Sequence, residues 1–155
     1  MEIDKAELKK IADDARARVK DEEKNRKKDE RREKKNKQEA ARQKAGRIIN
    51  SIPDNIKKAA GHGGIQTEKG LLIVARIPIV NEKMTSIMAS RGYLSEHEES
   101  VLRMVRRRLE SVKIDGVELG IKRETRSHTF TSGDGLDDAT GPCKHYYIEA
   151  KTIIS

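Results

Sequence analysis

The sequence predicts an α+β protein: a long charged N-terminal helix, then a small domain of about three strands packed with two or three helices. Three observations carry that prediction. Lys20 to Glu39 holds no apolar side chain, yet acids and bases recur there at spacings of three and four. Residues 70–80 (GLLIVARIPIV) are almost wholly apolar and rich in β-branched residues, as a covered strand requires. Residues 96–113 place Val101, Leu102, Val105, Leu109 and Val112 on one face and Arg103, Arg106 and Arg107 on the other, the pattern of a helix lying on a core.

The first helix is expected over about 4–45. Asp4 stands three residues before Glu7, which resembles a capping box. Leu8, Ile11, Ala12, Ala15 and Val19 then fall on one narrow stripe at helical spacing. Glu23–Lys27, Glu30–Lys34 and Glu33–Lys37 are placed to pair, each adding a few tenths of a kcal/mol to an isolated helix. The alternative is an arm that is disordered until it binds. Gly46 reads as the helix stop or a kink, which sets an arm at 1–46 and a folded domain at 47–155.

Pro53 opens a short helix, ended by the glycine-rich run at 59–64. The strand at 70–80 follows, with Pro78 demanding an edge or a bulge. A short helix over about 82–91 comes next, then Ser95 and Glu98 as the capping box of the amphipathic helix. Asp115-Gly116 reads as a turn, 117–126 as a second strand and 144–154 as a third, antiparallel to the second. The intervening 126–143, rich in Gly, Asp, Ser and Thr, reads as a long loop, either functional or disordered.

Composition narrows the function classes. Residues 1–60 hold 20 Lys and Arg against 13 Asp and Glu, and residues 61–155 hold 14 against 13, so +7 of the net +8 lies in the N-terminal part. Such asymmetry fits a polyanionic partner. The bland alternative is a solvated helix whose charges serve only solubility. Cys143 is the single cysteine, which fits a reducing compartment. No apolar run reaches the roughly 18 residues of a membrane span. A cytoplasmic location is therefore expected.

The leading candidate site is the cluster Lys24, Arg26, Lys27, Lys28, Arg31, Arg32, Lys34, Lys35 and Lys37, which can neutralise phosphates and release counterions. Arg103, Arg106 and Arg107 form a second basic face, with Glu99 and Glu110 near enough to neutralise it. Leu8, Ile11, Ala15 and Val19 could dock on another helix. The acidic loop with Asp134, Asp137 and Asp138, near His128, Cys143 and His145, lacks calcium-loop spacing and offers too few zinc ligands. No metal or cofactor is expected. No phosphate loop, nucleophile elbow or zinc-protease motif occurs, so a non-enzymatic binding protein is expected. Its partner would be nucleic acid or a nucleoprotein complex. The alternatives are an assembly protein docking through its N-terminal helix and an inhibitor filling the nucleic-acid channel of an enzyme. The layout is similar to that of many small phage-encoded accessory proteins, among them nuclease inhibitors and minor assembly or scaffolding factors. This resemblance is one of architecture and composition and assigns no residue a role.

Overall fold

The computed structural model describes residues 2–86 and 90–155. They form two compact units, Met1–Glu39 and Ala40–Ser155. The fold is α+β.

Helix α1 runs Lys5–Asn50. Asp4 caps it by accepting the Ala6 N–H at 2.9 Å, and Glu7 makes no reciprocal bond among the described contacts, so the capping box is half formed. Gly46 does not stop the helix. It lies inside α1, because Ala41 and Ala45 are fully buried and Ile48 and Ile49 partly so. Packing of that apolar edge outweighs the weak helix propensity of one glycine, which costs about 1 kcal/mol. The last turns of α1, from Ala40, thus belong to the second unit.

Helix α2 (Ile52–Gly61) begins with Pro53 in its first turn and buries Ile52. A short strand, β1 (Ile65–Thr67), pairs with the start of β2 (Gly70–Asn81). Sequence reasoning missed β1, reading the glycine-rich run before it only as the end of a helix. Gly70 sits at φ +135, and a Cβ there would lie 2.4 Å from the Ile154 carbonyl oxygen, so only glycine fits this corner.

Four antiparallel strands, one more than expected, make a sheet of order β1-β2-β4-β3, with β3 spanning Val117–Thr131 and β4 Asp138–Ile154. Pro78 sits beside the expected irregularity: the β2–β4 register shifts between Pro78 and Val80. Helix α3 (Glu96–Leu109) carries the full capping box of Ser95 and Glu98 and ends four residues short of the expected 113. Val101, Leu102 and Val105 of α3 join Ala41, Ala45, Ile52, Ala75, Ile77, Ile148 and Ala150 in one core. No polar or charged side chain among the described residues is buried.

Two further expectations are corrected. The 126–143 stretch is mostly not loop: β3 and β4 pair down to Thr131↔Asp138, because Thr125, Thr129, Phe130 and Thr131 are good strand formers. Only 132–137 turns the chain. There the Ser132 N–H donates to the Asp137 carbonyl at 2.8 Å, and Gly135 takes φ +71. The expected helix at 82–91 is also absent from its described residues; 87–89 lie outside them. Instead Lys83 and Tyr93 bridge each other. Glu82 and Gly92 lie beside the first half of β4, the Glu82 N–H donating to the Lys144 carbonyl and the Gly92 N–H to the Pro142 carbonyl, both at 2.8 Å. A strand residue's N–H and C=O point to the same side. The N–H that Pro142 lacks would therefore face Gly92, and β3 loses no bond. Gly92 is required by closeness, since a Cβ would meet Cys143 Sγ at 2.5 Å.

Candidate nucleic-acid interface

The nine predicted cations of the first unit all lie on α1 and are all exposed, but they are not equivalent. Three have an acid beside them within the helix, in exposed and weak pairs: Arg26 Nε lies 3.9 Å from Glu30, Lys27 Nζ 3.5 Å from Glu23, and Lys37 Nζ 3.4 Å from Glu33. The expected Glu30–Lys34 pair does not form, because Glu30 faces Arg26. Among the described residues, Lys24, Lys28, Arg31, Arg32, Lys34 and Lys35 have no ion pair.

Helical geometry separates Arg26 and Lys37 from the unpaired group, whereas Lys27 falls among the unpaired cations. At about 100° per residue, the six unpaired cations occupy an arc of about 160°, whereas Glu22, Asp29, Glu30 and Glu33 point elsewhere and Asp21 and Glu39 fall within the arc beyond the two ends of the cluster. Lys24, Lys28, Arg31 and Lys35 follow one line at spacings of four, three and four, about 16 Å long. A shallow open groove is lined by Lys28, Arg31, Arg32, Lys34, Lys35 and Gln38 and by no acid. Five cationic heads around one groove repel each other, and a polyanion relieves that repulsion. The acids that weaken the cluster on paper therefore sit mostly on the other side of the helix.

On α3, Arg103, Arg106 and Arg107 are exposed. Neither Glu99 nor Glu110 pairs with them among the described ion pairs, and Arg103 reaches only the Ser100 hydroxyl at 3.4 Å. This second cationic surface belongs to the other unit. Leu8, Ile11 and Val19 are 50%, 58% and 62% exposed, with Ala15 also exposed.

The remaining candidates separate. Asp134 is absorbed into its own turn: it takes hydrogen bonds from the Ser132 hydroxyl and the Leu136 N–H. The Ser132 bond, then the Leu136 bond, hold its carboxyl below the usual range. Cys143 is fully buried. Its thiol is pushed up by that burial and, secondarily, by the Glu82 carboxylate. Among the described residues no three His, Cys, Asp or Glu side chains gather to hold a metal. None of the described helices is long and apolar enough to cross a membrane. Tyr146 packs against the core. Tyr147 lies on the other sheet face, with Arg76 5.3 Å from its ring centre, a feature sequence reasoning missed because only strand register brings the two together.

No protein-family model, curated protein or solved structure matches this chain. The site is read from its own residues.

Proposed function

We propose that the protein is a non-enzymatic binding protein that engages the phosphate backbone of nucleic acid, free or within a nucleoprotein complex, through the cationic strip of α1. The observation that carries this is the sorting of charge. Six cations without ion pairs share one side of a helical stretch that has no apolar side chain. Such a surface has no use for a core, and it gains most from neutralising closely spaced phosphates and releasing their counterions. The contacts position the backbone and read no bases, so binding is largely indifferent to sequence. The Arg103, Arg106, Arg107 face of α3 adds a second phosphate-binding surface, its guanidinium groups suited to bidentate contact.

The test is a mobility-shift titration of a short duplex at low salt. Replacing Lys28, Arg31, Arg32 and Lys35 together with Gln lowers affinity more than tenfold. An unchanged affinity overturns the reading.

A further inference from the structure

The apolar stripe near the start of α1 is not explained by phosphate binding. Leu8, Ile11, Ala12, Ala15 and Val19 lie within an arc of about 100°, and Leu8 to Val19 is one eleven-residue repeat, which keeps a nearly straight helix in register with a neighbour. Leu8, Ile11 and Val19 remain half or more exposed. Ile3, just before the Asp4 cap, is 70% exposed as well. The charges beside the stripe are sorted by sign. Lys5, Lys9, Arg16 and Lys20 follow one flank; Glu7, Asp14 and Asp21 follow the other, which Arg18 interrupts, and Asp13 and Lys10 lie just behind the cationic and acidic flanks respectively. Arg16 is held only by an exposed contact of 4.0 Å to Asp13, too weak to keep it from a partner.

We infer that this stripe is the seam of a parallel pair formed by two copies of the chain. Orientation follows from symmetry. In a parallel pair the two-fold axis runs along the helices, so each cationic flank faces the partner's acidic flank. In an antiparallel pair cation faces cation and acid faces acid. Flanking charges set partner orientation in paired helices, and here only the parallel arrangement is complementary. Beyond Val19 the stripe continues into Glu22 and Arg26, which would face their own copies, so the seam ends there. The cationic strip lies on roughly the opposite side of the helix and stays uncovered. The pairing therefore stands or falls independently of phosphate binding.

Disulfide trapping in the full chain tests this, since the buried Cys143 stays out of exchange. Leu8→Cys and Val19→Cys chains, one carrying a mass tag, are mixed and oxidised. Each variant linking to itself, with little mixed product, supports the parallel seam. A dominant mixed product, joining position 8 of one copy to position 19 of the other, indicates antiparallel pairing and overturns it. Absence of any cross-link, with sedimentation at the 17.5 kDa of one chain across all concentrations, overturns it too. As a check on the flanks, Lys9→Glu with Arg16→Glu weakens self-association at least tenfold. Mixing that variant with one carrying Glu7→Lys and Asp14→Lys restores pairing as a heterodimer; no restoration counts against the charge argument.

Discussion

Two double substitutions with the same net charge separate a positioned strip from bulk basicity. Arg31→Gln with Lys35→Gln removes two cations from the unpaired side of α1. Arg26→Gln with Lys37→Gln removes two that are already matched by Glu30 and Glu33. Either change takes the chain from +8 to about +6. If six unpaired cations displace counterions from a duplex, the slope of log affinity against log salt is about −5, which means a roughly thousandfold loss between 50 and 200 mM. Removing two strip cations flattens the slope by about 2. The other pair lies across a helix about 10 Å wide, and the Debye length falls from about 14 Å at 50 mM to about 7 Å at 200 mM. Its removal therefore changes the slope by less than about 0.5. Fluorescence anisotropy on a labelled duplex across a salt series gives both slopes. Equal changes in the two variants would refute the strip, because net charge alone would then govern binding.

Gly46→Ala should stabilise the protein slightly, by up to about 1 kcal/mol. The new Cβ meets only the mobile end of Arg108, 2.9 Å away, and a melting curve shifted downward would contradict this. Gly92→Ala should destabilise by about 1–3 kcal/mol through overpacking against Cys143, and adding Cys143→Ala should recover part of the loss in chemical denaturation. Ser95→Ala removes the hydroxyl that accepts the Glu98 N–H at 3.2 Å and should cost about 1 kcal/mol, read as a lower thermal midpoint with unchanged phosphate binding.

Local signals were legible where local physics decides. Ser95 and Glu98 marked the start of α3, and Asp115-Gly116 marked a turn that the structure makes with φ +76 at Gly116. The charged spacing in α1 marked a helix. The misses arose where tertiary contacts override local preference. Gly46 stays helical because its neighbours are buried. The 82–91 segment has helix-tolerant residues, but Glu82 at its start and Gly92 just past its end are held on β4 by hydrogen bonds to Lys144 and Pro142. The glycines and aspartates of 132–138 suggested a long loop, although Thr125, Thr129, Phe130 and Thr131 before them are good strand formers. At the candidate site, composition identified the nine cations. Which of Arg26 and Lys34 is free depended on the Arg26–Glu30 choice, which runs against the helical rule that an acid ahead of a base at i, i+4 is the better orientation.

Amide shift mapping on the labelled full chain, titrated with a short duplex at low salt, shows which surface meets the phosphates. The largest perturbations should fall between Lys24 and Lys37 of α1, smaller ones near Arg103–Arg107, and none along β1 to β4, with all of them reversed by added salt. Perturbations confined to the sheet, or no perturbation of α1 at any duplex concentration, would contradict phosphate binding by the α1 strip.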